Sequence, residues 1–137
     1  MVEVKPVVWA TSVLQRLGLK PTARAGILAL PHEGLGILER EAMVSTFQKN
    51  LSGEFDFLIG FYISAIDLKS DLTRAKKILK GDGVVCVCWQ KGNVTDLTRN
   101  AISSIANEKG LVLANVISIN GAWLGLKLMY PTSQRLN

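Results

Sequence analysis

The chain holds a single histidine, His32, within the stretch Pro31-His32-Glu33-Gly34-Leu35-Gly36. An imidazole on a turn suits general acid or base work near neutral pH. Spacing sets no Ser, Cys or Asp partner beside it, so a surface turn histidine is the reading the residues favour, and Glu33 is read the same way. The two cysteines, Cys86 and Cys88, stand one residue apart in the apolar run Val84 to Trp89. On a strand that spacing puts both thiols on one face, where burial raises their pKa and makes them poor nucleophiles. They lack the further ligands of a zinc site and sit too close in sequence for a comfortable disulfide. Buried free thiols in a reducing cytoplasm are expected. Asp96 could serve as a base, yet the first turn of a helix opening near Thr95 gives its carboxylate a structural task against the helix dipole. The residues therefore offer no catalytic set and no metal site.

The elements that must position these residues follow from hydrophobic periodicity. Trp9, Val13 and Leu17 recur at a four-residue step before Gly18, which predicts an N-terminal helix inside an extension covering residues 1–23. Arg24 to Leu30 is a short apolar run bounded by Pro31 and reads as a buried strand. A helical piece over Leu35 to Glu41 and a peripheral strand over Met43 to Gln48 follow. Phe55 to Tyr62 and Val84 to Trp89 are almost wholly apolar, as strands buried on both faces are. Between them, Ser64 and Asp67 resemble a capping box ahead of Leu68, Leu72, Ala75 and Leu79, predicting a helix over Ile66 to Leu79 that Gly81-Asp82-Gly83 breaks. Leu97, Ala101 and Ile105 predict a further helix after Asn93, with Gly110 as its stop. Leu111 to Ile119 and Trp123 to Tyr130, separated by Asn120-Gly121, predict a closing hairpin. A polar tail occupies 131–137.

Composition bounds what such a chain can be. Its 137 residues are 48% hydrophobic and 20% charged, a balance that fits one globular domain over 1–137 and excludes a disordered or low-complexity chain. The net charge of +5 is scattered except for Arg74, Lys76, Lys77 and Lys80, expected on the polar face of one helix. A solvated face explains that cluster better than a phosphate-tracking one, so nucleic-acid binding through a basic helix stands only as a weak alternative. The first ten residues contain Glu3, Lys5 and Pro6 and no apolar run, so neither a signal peptide nor a membrane span is expected.

Alternating strands and helices with buried central strands imply an α/β fold: a three-layer, Rossmann-like sandwich whose mostly parallel sheet ends in a C-terminal antiparallel hairpin. From Phe55 onward the order FDFLIGF, helix, ILKGDGVVCVCW, helix, GLVLANVISI, AWLGLKLMYP resembles the second half of a class I S-adenosylmethionine-dependent methyltransferase. The segments LGLKPTARAGILALP, FDFLIGFYIS, LKGDGVVCVCWQKG, TDLTRNAI and KGLVLANVISINGAWLGLKLM also resemble a bacterial family known as a domain of unknown function. Members of that family carry Leu-Gly-Ile-Lys-Pro, Trp-Pro-Lys-Lys, Thr-Asp-Leu and Trp-Ser-Gly elements. The corresponding residues here are Leu17 to Pro21, Trp89 to Lys91, Thr95 to Leu97 and Trp123 to Gly125. Gln90, Lys91 and Gly92 depart from the Pro-Lys-Lys pattern, and the loop before Thr95 is shorter, which puts a paired basic site there in doubt.

The methyltransferase resemblance implies a glycine-rich turn after the first strand and an acidic residue after the second, the logic of dinucleotide-binding turns. Here the turn at Ala29 to Gly36 has Gly34 and Gly36 at its far end and Pro31 within it, and Met43 to Asn50 contains no acidic residue. The sequence therefore reads as a methyltransferase-like scaffold lacking the usual cofactor turn, with no cofactor expected. The main expectation is a noncatalytic cytoplasmic domain that binds a small anionic ligand or a protein partner, including a second copy of itself. The alternative is a minimal S-adenosylmethionine-dependent methyltransferase with an atypical turn around Gly34 and Gly36. In open α/β sheets ligands lie outside the carboxyl ends of the strands. That places the candidate binding residues at Pro31, His32, Gly34 and Gly36, at Tyr62 and Ser64, and at Trp89, Lys91, Asn93, Thr95 and Asp96. Lys91 and the N–H groups opening the next helix would hold the anion, and Trp89 would either stack on a flat ring or fill the core.

Overall fold

A computed structural model describes residues 23–29, 47–48, 50–92, 97–119 and 122–131. They form strands β1 (Ala25–Ala29), β2 (Phe47–Gln48), β3 (Phe55–Tyr62), β4 (Leu79–Gln90), β5 (Val112–Ser118) and β6 (Trp123–Met129), with helices α1 (Ala65–Ile78) and α2 (Arg99–Glu108). The helices expected at Val8 to Leu17 and Leu35 to Glu41, and the turn at Asn120-Gly121, lie outside the described residues.

The strands make one mixed sheet in the order β2-β1-β3-β4-β6-β5. β1 pairs parallel with β2 and with β3, and β3 pairs parallel with β4. β6 runs antiparallel to both β4 and β5. β3 and the Val84 to Trp89 stretch of β4, buried almost throughout, take the centre, because an inner strand of a covered sheet must be apolar on both faces. Period-two alternation then divides their side chains. Leu58 and Tyr62 join Val85, Val87 and Trp89 under the helices, while Phe57, Ile59 and Phe61 join Cys86, Cys88 and Trp123 on the opposite face. On that second face the Phe61 and Trp123 rings meet edge to face, with centroids 5.5 Å apart.

Leu68, Leu72 and Ala75 of α1 and Ile102, Ile105 and Ala106 of α2 pack into one core, so both described helices cover the same face. Of the three layers expected, the described residues show two, the sheet and one helical layer. The Ser64 Oγ accepts from the Asp67 N–H at 3.5 Å, the expected N-cap. α2 ends in a Schellman arrangement. Gly110 has φ +79°, its N–H donates to the Asn107 carbonyl, and the Leu111 N–H reaches back to the Ala106 carbonyl at 2.9 Å.

Three sequence expectations change. Gly81-Asp82-Gly83 is not a break between elements but part of the twelve-residue β4, where the register slips between Leu79, opposite Phe55, and Val84, opposite Phe57. Glycines inside a strand mark such an irregularity as readily as a turn. α2 begins at Arg99, capped by the Thr98 Oγ1, which accepts from the Ala101 N–H at 3.1 Å. The helix thus opens at Arg99 and not near residue 95. Lys80 belongs to β4 and pairs with Asp56 at 3.3 Å, so the basic cluster does not occupy one helical face.

Candidate functional site

The sheet order fixes where a ligand can enter. From β1 the chain passes to β2 on one side, and β3 and β4 extend the sheet on the other. β1 and β3 therefore flank a topological switch point, where the crevice of an open α/β sheet lies. A cleft of ≈ 490 Å³ opens there. Ala29 closes β1 on one side of it, and Phe61, Tyr62 and Ile63 form the end of β3. The first two turns of α1 supply a polar wall of Asp67, Ser70 and Asp71. The volume falls in the range of small-molecule sites.

The wall is held by a chain of contacts that crosses three elements. The Tyr62 hydroxyl donates to the Asp71 Oδ2 at 2.8 Å. The Asp71 Oδ1 lies 3.7 Å from the Arg74 Nη2. That same guanidinium nitrogen donates to the Leu28 carbonyl at 3.3 Å, which ties α1 to the end of β1. Burial, reinforced by the charge on Asp71, pushes the Tyr62 phenol far above its usual pKa, so it remains a neutral donor. Gly60 makes room for that ring: a Cβ at residue 60 would come within 2.5 Å of it.

Four of the sequence-derived candidates fall within the described residues. Tyr62 lines the cleft. Ser64 sits at the head of α1, where its hydroxyl is spent on the cap. Trp89 lies opposite Tyr62 in the β3–β4 register but is only 3% exposed and belongs to the core, which leaves no free face for stacking. Lys91 is exposed just past β4, with its N–H on the Ala122 carbonyl at 2.8 Å, and is not among the cleft residues. Pro31, His32, Gly34, Gly36, Asn93, Thr95 and Asp96 lie outside the described residues. Ala29, Asp67, Ser70 and Asp71 also line the cleft and are not among those candidates. Their one signal was the i, i+3, i+4 spacing of Asp67, Ser70 and Asp71 on the polar side of α1, next to a strand end.

Cys86 and Cys88 are both fully buried, with Sγ atoms 3.7 Å apart on the face away from the helices. Burial and the contact with Cys86 raise the Cys88 thiol well above its usual pKa. No helix among the described residues is long and apolar enough to cross a membrane.

No protein-family model matches the chain, and no curated protein matches it. The resemblance to a bacterial family of unknown function thus gains no support. Solved structures do match. Ribosomal protein L11 methylase from Lactobacillus delbrueckii subsp. bulgaricus aligns with a TM-score of 0.56 at 16% identity, over 93% of this chain and 78% of that one. Magnesium protoporphyrin IX methyltransferase from Synechocystis PCC 6803, with bound S-adenosylmethionine, gives 0.60 at 13% identity, over 95% and 82%. CalO1, a methyltransferase in calicheamicin biosynthesis bound to S-adenosylhomocysteine, gives 0.62 at 13% identity, over 90% and 54%. The present chain thus spans about half the length of CalO1. At these identities the likeness establishes the fold, a methyltransferase-like α/β sheet.

Two expectations are corrected by this. The noncatalytic domain for an anionic ligand or protein partner, and the expectation of no cofactor, give way because the structural neighbours are methyltransferases, two of them holding S-adenosylmethionine or S-adenosylhomocysteine. The physical reason lies in where the sequence was read. The glycines at 34 and 36, Pro31 and the lack of an acidic residue over Met43 to Asn50 are local features, while the strand order that makes a crevice at β1 and β3 is not written in any one segment. The cleft wall also carries carboxylates, which repel an anion.

Proposed function

We propose that the chain binds S-adenosylmethionine in the cleft at the carboxyl ends of β1 and β3 and acts as a methyltransferase. One observation carries the reading: the cleft sits at the switch point of a sheet shared with methyltransferases that hold this nucleoside. The lining suits the ligand. The molecule carries a sulfonium and an ammonium charge, and no lysine or arginine is among the described lining residues to repel them. Ala29, with its single methyl, leaves space at the end of β1. When bound, the cofactor supplies an activated methyl group to a nucleophile and leaves as S-adenosylhomocysteine. The chain's own part is to hold the nucleoside at the strand ends and to present an acceptor from the α1 side.

Isothermal titration with S-adenosylmethionine and S-adenosylhomocysteine tests this. Saturable binding by the native chain, and loss of at least about tenfold in affinity in Ala29→Phe, are expected from filling the cleft, a change worth about 1.4 kcal/mol. Absence of binding to either nucleoside at millimolar concentration overturns the reading.

A further inference from the structure

The cleft has two kinds of wall. Ala29 and the end of β3 lie at the switch point, whereas Ile63, Asp67, Ser70 and Asp71 form the side that α1 presents. Large apolar side chains are exposed at three described positions, Ile63, Ile66 and Val112. Ile63, 55% exposed, lines the cleft, and Ile66, 77% exposed, is the chain neighbour of the lining Asp67 in the first turn of α1. A single exposed isoleucine is ordinary. An exposed isoleucine that lines a cleft together with two carboxylates, with a second exposed isoleucine next to one of them in the chain, gives a surface with apolar and anionic parts side by side.

The anionic part is oriented. Asp71 is fixed from below by the Tyr62 hydroxyl at 2.8 Å, a donor from a residue only 2% exposed. Arg74 offsets part of its charge from 3.7 Å, but that guanidinium is also held by the Leu28 carbonyl. Asp67 pairs with no cation among the described residues. Two carboxylates against one guanidinium leave the described part of the wall net negative, in a chain whose overall charge is +5. Charge complementarity then selects a cation, and the isoleucines select an apolar body beside it.

We infer that the acceptor of the proposed methyl transfer is a small amine with a compact apolar body, its ammonium or amino group facing Asp67 and Asp71 and its apolar part lying on Ile63 and Ile66. This rests on the reading of the cleft as a methyl-donor site, and it assigns the α1 wall to the acceptor. Ile63 and Ile66 act as specificity residues, and Tyr62 as a positioning residue that aims Asp71.

Three probes of one shape separate the contributions: phenethylamine, phenylacetate and 2-phenylethanol, followed by ligand-observed NMR on the full chain saturated with S-adenosylhomocysteine. The amine is expected to bind about tenfold more tightly than the acid, the scale of one charge-assisted contact. The Asp67→Asn, Asp71→Asn double variant should bring the amine within about twofold of the alcohol while calorimetry shows unchanged S-adenosylhomocysteine affinity. Ile66→Ser should weaken all three probes by a similar factor and leave the amine preference in place. Equal binding of acid and amine, or no probe binding to a chain that binds the nucleoside, overturns the inference and leaves the methyl-donor reading standing. If the nucleoside fails to bind, the same titrations run without it; a carboxylate-dependent amine preference then supports an amine site while the donor reading falls, and its absence sinks both.

Discussion

The Tyr62 hydroxyl donates to the Asp71 carboxylate at 2.8 Å, joining the last residue of β3 to the second turn of α1. The bond does two things at once. It satisfies a phenol that is 2% exposed, and it aims a carboxylate into the cleft at the sheet's switch point. A buried hydroxyl without a partner would cost stability, so site geometry and folding are coupled here.

Tyr62→Phe keeps the ring and removes the donor. The expected loss is about 1.5 kcal/mol, the lower range for a hydrogen bond to a charged group, because Asp71 keeps some contact with water. Gly60→Ala attacks the same bond from beneath, since its methyl would press on the Tyr62 ring from 2.5 Å; overpacking of this kind costs about 1–3 kcal/mol. Urea denaturation of the two variants and of their combination should show a double-variant loss smaller than the sum, because both remove one interaction. Strict additivity would mean that Gly60 does not set the position of the ring.

Stability should fall at alkaline pH, and the direction follows from raised pKa values. The Cys88 thiol lies well above its usual 9.0, and the Tyr62 and Tyr130 phenols lie above their usual 10.0. Burial is the leading cause in each case. A group raised in the folded state keeps its proton there while the unfolded chain loses it. Its contribution is therefore complete below the unfolded value and is lost as pH climbs toward the folded one. Denaturation midpoints should hold to about pH 8.5 and then decline, first through Cys88 and from about pH 10 through the tyrosines as well. Tyr62→Phe should flatten the decline above pH 10, and an unchanged slope in that variant would contradict a strongly raised Tyr62.

The thiols give a separate check on the second face of the sheet. Cys86 and Cys88 are fully buried, and both are free. A thiol-reactive dye at neutral pH should label neither in the native chain within minutes and both once urea unfolds it, because burial keeps the reagent from both sulfurs. Rapid labelling of the native chain would show that the face carrying Phe61 and Trp123 opens readily.

Much of this frame is legible in the residues, and the part that is not has a physical pattern. The nearly apolar runs Phe55 to Tyr62 and Val84 to Trp89 mark β3 and the inner part of β4, because only a covered inner strand needs two apolar faces. Ser64 and the Leu68, Leu72, Ala75 spacing mark α1, and Gly110 marks the end of α2 because the C′ residue takes a positive φ. Local chemistry with two solutions is where the reading slips. The residues place a helix opening near Thr95, whereas the Thr98 hydroxyl caps α2, immediately after Leu97, which is fully buried. Gly81 and Gly83 could turn the chain or kink a strand. The cleft wall is illegible for another reason: Asp67, Ser70 and Asp71 look like any solvated helix face until strand order sets that face beside a crevice.

Arg24 shows how long-range contacts can separate stability from the site. Its Nη1 donates to the Glu54 carbonyl and its Nη2 to the Ser52 carbonyl, each at 2.6 Å. Its guanidinium also lies 4.1 Å from the Phe55 ring centre. A Cβ on Gly53, where φ is +85°, would come within 2.8 Å of the Arg24 Nη1, so the loop is shaped around this side chain. All of this happens at the amino end of β1, where Ala25 pairs with Phe47 and Phe57. Ala29 and the cleft lie at the other end, about 16 Å away along the strand. Arg24→Met should therefore lower stability by about 1–2 kcal/mol, as charge-assisted bonds at a partly exposed site are lost. Below its unfolding temperature, it should bind S-adenosylhomocysteine as the native chain does. A variant that stays folded by circular dichroism yet loses the nucleoside would mean that the amino end of the sheet transmits order to the cleft, and that β1 does not act as a rigid spacer between them.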